Sequence, residues 1–146
     1  AAELCGIALR RTMITYRDHS RCDAHEILSL YASVGWTNYT AQPEMLERAF
    51  AHSLAILAAY DGERLIGIIR AVGDGASIVF VQDLLVHPDY QRRGIGSTLL
   101  KMLLARYSHV YQFELLTDDA ENTNRFYQSV GLQPVEAIGC RAFIRA

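Results

Sequence analysis

Hydrophobic positions along this chain repeat at two spacings, one typical of helices and one typical of strands. Apolar residues recur at helical spacing after Asp23, which forms a capping-box pattern with Glu26. The same spacing returns after Pro43, a residue that the first turn of a helix tolerates. These patterns predict one helix that ends near Gly35 and a second helix that begins at Pro43. A first strand is predicted before both, over residues 13–17.

Three further strands are predicted in close succession. Apolar runs at 54–60 and 65–72 are separated by an Asp-Gly dipeptide, which is a strong hairpin signal. A long strand over 78–86 follows and is terminated by Pro88. The remaining predicted elements are a helix over 96–107 with a leucine stripe, a strand over 110–116, a helix over 118–130, and one or two strands within 135–144.

The predicted element order is βααβββαβαβ, which indicates an α+β fold. Its central sheet is mostly antiparallel and is flanked by about four helices. One strand–helix–strand crossover in the middle of the chain places its two strands parallel. No repeat, low-complexity tract or linker interrupts the 146 residues, so we predict a single domain over 1–146. Met13 is a candidate natural start, which would make residues 1–12 an appendage.

Composition narrows the class of protein. The formal net charge of −2 provides no basic excess for binding nucleic acid. No apolar run reaches the roughly 20 residues that cross a membrane, and the N-terminal apolar patch is short for a signal peptide. The three cysteines are widely spaced, as free thiols in a reducing cytosol would be, and the five histidines form no metal-ligand cluster. We therefore expect a cytoplasmic protein without a metal.

The segment that carries the chemistry is VHPDYQRRGIG, residues 86–96, between a strand and a helix. Gly94 and Gly96 let the backbone turn tightly and approach a ligand, and the N-terminus of the following helix attracts phosphate. The segment lacks the Gly-Lys-Ser/Thr ending of nucleotide-triphosphate loops, and its glycine spacing differs from the dinucleotide fingerprint. Taken alone, the two glycines fit a simple tight turn equally well.

Two motifs resemble those of the GNAT superfamily of N-acetyltransferases. QRRGIG, residues 91–96, is similar to the family's Q/R-x-x-G-x-G/A signature and follows a typical V-H-P-D-Y lead-in. NRFYQSVGL, residues 124–132, resembles the family's FYxxxGF helix, with Leu132 in place of the usual Phe. With the strand order, the resemblance covers nearly the whole chain from Met13 onward.

The resemblance implies that acetyl-coenzyme A is the acetyl donor and that its pantetheine arm enters a V-shaped splay between the two parallel strands. It implies main-chain contacts from Leu85 and Val86 to the pantetheine and thioester. The other implied contacts with the coenzyme come from Gln91, Arg92, Arg93, Gly94, Ile95, Gly96, Ser97, Thr98, Tyr127 and Asn124, with Asn122 an alternative to Asn124.

Acetyl transfer to an amine requires a base, an oxyanion donor and an acid. A primary amine is protonated at neutral pH and must lose a proton before it attacks. The resemblance makes Tyr127 the general acid, although a core aromatic is the alternative reading. It also makes a main-chain N–H near Leu85 the oxyanion donor. Many members place a glutamate on the strand before the loop, where this chain has Phe80 and Gln82. Asp83, the only carboxylate on that strand, is one candidate base, and ordered water leading to solvent is the other.

The acceptor site of this family usually lies beside the two N-terminal helices. Tyr31, Trp36 and Tyr39 fall there and could form an aromatic pocket for an amine. Core packing of the helix onto the sheet is the alternative for Tyr31 and Trp36, and it is the favoured one for Tyr31. The predicted function is acetyl transfer to a primary amine of a small molecule by direct attack in a ternary complex. A peptide or protein amine is an alternative acceptor, and a non-catalytic module that binds acetyl-coenzyme A is an alternative function. A homodimer is also compatible with the sequence.

Overall fold

The described residues contain one five-stranded sheet in the order β1-β2-β3-β4-β5. The computed structural model of the protein describes residues 13–19 and 23–145. The strands are β1 (Ile14–Asp18), β2 (Ala55–Asp61), β3 (Arg64–Gly73), β4 (Ile78–Val86) and β5 (Gln112–Leu115). The first four strands pair antiparallel, whereas β4 and β5 pair parallel. The predicted α+β class is confirmed.

Five α-helices accompany the sheet in the described residues. They are α1 (Ala24–Ser33), α2 (Thr37–Thr40), α3 (Pro43–Ala51), α4 (Ile95–Arg106) and α5 (Glu121–Ser129). The Asp23 carboxylate caps α1 by accepting a hydrogen bond from the His25 N–H at 2.9 Å. Gly35 has a φ of 76° just past the end of this helix, so both predicted boundaries are confirmed. The single turn α2 was not predicted, because three polar residues and a tyrosine carry no helical periodicity.

The helices cover the sheet on both faces. Buried residues of α1 and α3 share one apolar cluster with Ala58, Ile68 and Leu85. Buried residues of α4 form the other cluster with Leu57, Ile69 and Val81, and side chains of α5 pack against it. Each face of β4 therefore contributes to a different core.

An irregularity in β4 opens the sheet beside β5. Val81 pairs with Ala71 and Asp83 pairs with Arg70, so Gln82 is an extra residue, a β-bulge. The pairing with β5 covers only residues 78–81 of β4. Residues 82–86 therefore have no strand partner on that side. This V-shaped gap, here called the splay, agrees with the predicted opening between two parallel strands.

The C-terminal tail differs from its prediction. Residues 135–144 were expected to contain one or two strands, but Val135–Ile138 form a 3₁₀ turn and no strand follows as far as residue 145. Phe143 and Ile144 are exposed. β-branched and aromatic residues favour a strand only where a partner strand and a packed face are available. No other described segment pairs with the free edge of β5.

Some of the predictions about the N-terminus and the cysteines concern residues that the structure does not describe. The predicted appendage at 1–12, together with Cys5 and Cys22, lies outside the described residues. Cys140 is a free and exposed thiol. None of the helices within 13–19 and 23–145 is long and apolar enough to cross a membrane.

Candidate functional site

Tyr90 anchors the loop between β4 and α4 to the sheet. Pro88–Tyr90 form a 3₁₀ turn, which His87 caps by accepting the Asp89 N–H on Nδ1 at 3.1 Å. The buried Tyr90 donates its hydroxyl proton to the Asp61 carboxylate at the end of β2. The guanidinium of Arg93 lies 5.1 Å from the centre of the Tyr90 ring. These contacts fix the loop to the sheet immediately before α4.

Two residues in the left-handed region turn the chain into α4. Gly94, the N-cap residue, has a φ of 75°, and Arg92 has a φ of 63°. A side chain in this region costs roughly 1–2 kcal/mol, so the backbone at Arg92 is strained. Strained backbone of this kind is common where a loop is shaped for a ligand.

The N-terminus of α4 is uncapped by any described side chain. Gly94 makes no side-chain cap, and the first turn contains no acidic residue. The N–H and hydroxyl of Thr98 both donate to the Gly94 carbonyl, at 3.0 and 2.8 Å. The N–H groups of Ile95, Gly96 and Ser97 precede this first helical bond and have no carbonyl partner within the helix. Together with the helix dipole they form a site suited to phosphate.

The space above these N–H groups is open. A Cβ added to Gly94 would meet nothing within 4 Å. At Gly96 a Cβ would lie 3.8 Å from Val86 and 3.9 Å from Phe126, which is ordinary contact. Protein packing therefore does not require glycine at 96. The residues present fit the pyrophosphate of coenzyme A, since a small residue leaves room for backbone and ligand to approach.

The two loop arginines are available for an anion. Arg92 and Arg93 are exposed, and neither pairs with a carboxylate in the part of the chain that the structure describes. Charged donors of this kind bind phosphate through charge-assisted hydrogen bonds. Residues 91–97, which we predict to contact the pyrophosphate, lie together at one end of the splay.

The main-chain N–H and C=O groups of Leu84 and Val86 point towards the splay, whereas those of Leu85 and the N–H of His87 point towards β3. The His87 N–H donates to the Ile66 carbonyl of β3 at 2.8 Å. Alternate residues of a strand direct their main-chain groups to the same neighbour, so Leu85, which pairs with Ile68, also faces β3.

Two further contacts support this orientation. The Leu85 carbonyl lies 3.5 Å from a Cβ built on Gly67 of β3. The Val86 carbonyl accepts the side-chain amide of Gln91 at 3.1 Å, on the other side of the strand. The structure therefore differs from the expectation for Leu85 by one residue. Only the strand register reveals this, because a single sequence does not show which neighbour a main-chain N–H faces.

Tyr127 lies on α5, close to the start of α4. Its ring is 5.0 Å from that of Phe126, the residue that approaches Gly96, and both rings pack against the core cluster of α4. Burial raises the pKa of the Tyr127 hydroxyl above its usual value, so the group holds its proton at neutral pH. The second predicted motif is thereby brought next to the first.

Asn124 and Asn122 occupy the first part of the same helix. The Asn124 amide donates to the Asp119 carboxylate at 3.3 Å and the residue is half-buried. Asn122 is exposed. The structure thus places both candidates near the loop before α5, with Asn124 already engaged by a protein acceptor.

Asp83 is the centre of a buried polar network. It is 2% exposed and accepts three hydrogen bonds: from Arg70 Nε at 2.7 Å, and from the Tyr31 and Tyr39 hydroxyls at 2.8 Å each. A proton on this carboxylate would leave the buried Arg70 guanidinium without its counter-charge. Sequence reasoning missed Arg70. Its signal was a cation in the middle of the apolar run 65–72, where a buried charge requires a partner.

The three predicted acceptor aromatics lie together but differ in exposure. Tyr31 is 0% exposed, so it has no surface with which to contact an acceptor, and it packs 5.8 Å from Trp36 and 5.1 Å from Tyr39 between ring centres. Trp36 and Tyr39 are half-buried. The Tyr39 hydroxyl also accepts the exposed side-chain amide of Gln82 at 3.3 Å, beside the splay. Burial is the main cause that raises the pKa of Tyr39, so its hydroxyl remains a donor to Asp83.

Metal ligands are not assembled in this region. Within residues 13–19 and 23–145, no group of three or more His, Cys, Asp or Glu side chains could hold a metal ion. The groups that the described residues do bring together are main-chain N–H groups, arginines, tyrosines and one carboxylate network.

Comparison with known proteins gives relatives in sequence and neighbours in structure. An uncharacterized N-acetyltransferase, ycf52, of Gracilaria tenuistipitata var. liui is 25% identical over 117 residues, which are 77% of this chain and 63% of that protein. The chain thus spans less than two thirds of the length of this curated relative. The structure of AAC(6')-Iy in complex with the bisubstrate analog CoA-S-monomethyl-acetylneamine is 17% identical, with a TM-score of 0.65, and the match covers 92% of this chain and 98% of that one.

Two closer matches establish the family. A GNAT-family acetyltransferase from Streptococcus pneumoniae TIGR4 is 45% identical, with a TM-score of 0.84, over 92% of this chain and 98% of that chain. The family model for the acetyltransferase (GNAT) domain matches residues 24–146. The protein belongs to the GNAT acetyltransferase family.

Proposed function

We propose that the protein transfers the acetyl group of acetyl-coenzyme A to a primary amine of a small molecule, by direct attack in a ternary complex. The observation that carries this proposal is the uncapped N-terminus of α4, open above Gly94 and Gly96, at the end of the splay. A related fold, AAC(6')-Iy, binds a bisubstrate analog that contains coenzyme A. Acetyl-coenzyme A supplies the activated acetyl group.

The pyrophosphate would be held by the N–H groups of residues 95–97 and by the two loop arginines. The side chain of Gln91 fixes the Val86 carbonyl. The main-chain groups of Leu84 and the N–H of Val86 would align the pantetheine arm along β4, as an added strand would be aligned. The Leu84 N–H is our candidate oxyanion donor in place of Leu85, because it faces the splay.

Tyr127 would act as the general acid. As the amine nitrogen forms its bond to the acetyl carbon, the bond between carbon and sulfur breaks and Tyr127 gives its proton to the departing thiolate. A tyrosine whose pKa is raised by burial is protonated before the reaction, as this role requires.

The acceptor would bind beside Trp36, Tyr39 and Gln82, where polar and aromatic surfaces adjoin the splay. Asp83 is engaged with Arg70, so we assign the removal of the amine proton to ordered water that leads to solvent. Asp83 would then hold the Tyr39 hydroxyl in position by accepting its hydrogen bond. A peptide amine is the alternative acceptor.

The test measures binding and turnover separately. Calorimetry should show that the purified protein binds acetyl-coenzyme A, and thiol release should rise with one or more members of a panel of small amines, aminoglycosides and peptides. Binding without turnover on any amine would instead favour the non-catalytic module, and absence of binding would refute both. The predicted cytoplasmic location and homodimer are tested by fractionation of cells and by light scattering.

A further inference from the structure

The outer edge of β5 is open. β5 is the last strand of the sheet, and β4 is its only strand neighbour among the described residues. The Gln112 N–H donates to the Ser77 carbonyl on the β4 side at 2.8 Å, so the alternate residues Phe113 and Leu115 direct their main-chain groups outwards. An unpaired edge of this kind is a template for a further strand.

Exposed apolar side chains are concentrated around this edge and in the C-terminal tail. Tyr111 and Leu116, which immediately flank β5, are 84% and 53% exposed. Phe143 and Ile144 of the tail are 89% and 81% exposed. Of the seven large apolar residues that are exposed in the described part of the chain, five lie within 111–144. Apolar surface gathered in this way marks a site of protein–protein contact.

The two faces of β5 differ in chemistry. Phe113 and Leu115 pack against the core cluster of α4. Glu114 therefore points to the opposite face of the sheet, since side chains alternate along a strand. Glu114 is half-buried and forms no ion pair with any described residue. A strand added to this edge would fit best with apolar residues on the first face and a cation on the second.

Residues 141–145 of the tail, with the sequence RAFIR, have this pattern. Alternation places Ala142 and Ile144 on one face of an extended segment and both arginines on the other. With Ala142 and Ile144 continuing the apolar face of β5, Arg141 and Arg145 lie on the face of Glu114. Opposite charges on neighbouring strands stabilise their pairing. The tail thus complements the edge in both hydrophobicity and charge.

Within one chain the tail and the edge do not meet: no described strand pairs with the outer edge of β5, and residues 141–145 are exposed. A second copy of the chain presents the same edge and the same tail, so one two-fold axis can pair both tails with both edges. We propose that the protein forms a dimer in which residues 141–145 of each protomer add as a strand to the outer edge of β5 of the partner. This interface does not depend on the proposed acetyl transfer.

Light scattering on the full chain tests the proposal with two matched variants. The wild-type protein should have twice the 16.4 kDa mass of one chain. Ile144→Asp should shift it to the mass of a monomer and, because this side chain is exposed within its own chain, keep cooperative unfolding. Ile138→Asp places the same charge on another exposed isoleucine, outside 141–145, and should remain dimeric. A monomeric wild type, or a dimer that persists in Ile144→Asp, would overturn the proposal.

Charge reversal shows whether tail and edge come from different chains. Glu114→Arg alone, and Arg141→Glu with Arg145→Glu alone, each place like charges at the interface and should weaken the dimer about tenfold or more. An equimolar mixture of the two variants should form a heterodimer, since both of its contacts pair opposite charges. If the tail instead paired with β5 of its own chain, mixing would leave both variants unchanged, and that result would refute the exchange.

Hydrogen exchange locates the interface independently. The amides of residues 141–145 should be protected in the wild-type dimer and exchange rapidly in Ile144→Asp. Rapid exchange of these amides in the wild-type dimer would place its interface elsewhere and contradict the proposal.

Discussion

Replacing Arg70 by methionine should destabilise the protein severely. The variant removes the guanidinium 2.7 Å from Asp83 and leaves the carboxylate, whose side chain is 1% exposed, without a counter-charge. Breaking a buried pair in this way costs about 3–5 kcal/mol. Since a domain of this size is stable by about 5–15 kcal/mol, the loss is a large fraction of the total. Methionine keeps much of the apolar volume, so lost charge pairing dominates the effect.

The same chain provides a matched control. Arg106 and Asp18 form an ion pair at the same 2.7 Å distance, but their side chains are 38% and 64% exposed. Exposed pairs contribute about 0–1 kcal/mol, because water solvates both charges after the pair is broken. Arg106→Met should therefore have little effect on stability. The two variants differ in burial and not in the length of the ion pair.

Urea unfolding, monitored by fluorescence, measures both variants. Trp36 is the only tryptophan and packs near Tyr31, whose hydroxyl bonds Asp83, so its emission reports on this network. We expect the free energy of unfolding to fall by at least about 2 kcal/mol more in Arg70→Met than in Arg106→Met. Losses within about 1 kcal/mol of each other would refute the assignment of the Asp83 network as a structural anchor.

Three other predictions concern Tyr127, Gly96 and His19. Tyr127→Phe should lower kcat about 100-fold or more while the Kd for acetyl-coenzyme A stays the same, and undiminished turnover would remove Tyr127 from the mechanism. Gly96→Ala should weaken acetyl-coenzyme A binding in calorimetry without lowering the free energy of unfolding, because its Cβ makes only ordinary contacts; an unchanged Kd would argue against the phosphate site. The lowered pKa of His19 means that the unfolded chain takes up its proton first, so stability should fall as pH drops through about 6.5, and this slope should be smaller in His19→Phe. Identical slopes in urea unfolding would contradict that account.

Local chemistry made parts of this fold predictable from the sequence. Asp23 and Gly35 delimit α1 as expected, because a capping carboxylate and a left-handed glycine act within a few residues. The bounds of β4 agree with the prediction, since its apolar residues end where Pro88 begins a turn. The glycine loop predicts a candidate phosphate site from equally local chemistry.

Features that depend on pairing between distant segments could not be predicted. The orientation of the Leu84 N–H follows from the register of β4 on β3, and the partnership of Arg70 with Asp83 follows from the same register. The C-terminal tail shows the opposite case, in which a sequence that favours a strand forms none. Phe143 and Ile144 belong to a sequence that favours a strand, yet they have no partner strand in the described fold.

The bulge at Gln82 links the opening of the sheet to the anchoring of Asp83. Before the bulge, Val79 and Val81 face the core of α4; after it, Asp83 and Leu85 face α1 and α3, so the extra residue has exchanged the two faces. A regular strand would keep odd-numbered residues on one face and turn the Asp83 carboxylate towards the apolar core of α4. A bulge also increases local twist, and here it lies where pairing with β5 ends. One inserted residue therefore accounts both for the gap beside residues 82–86 and for the carboxylate that holds Tyr39 at its edge.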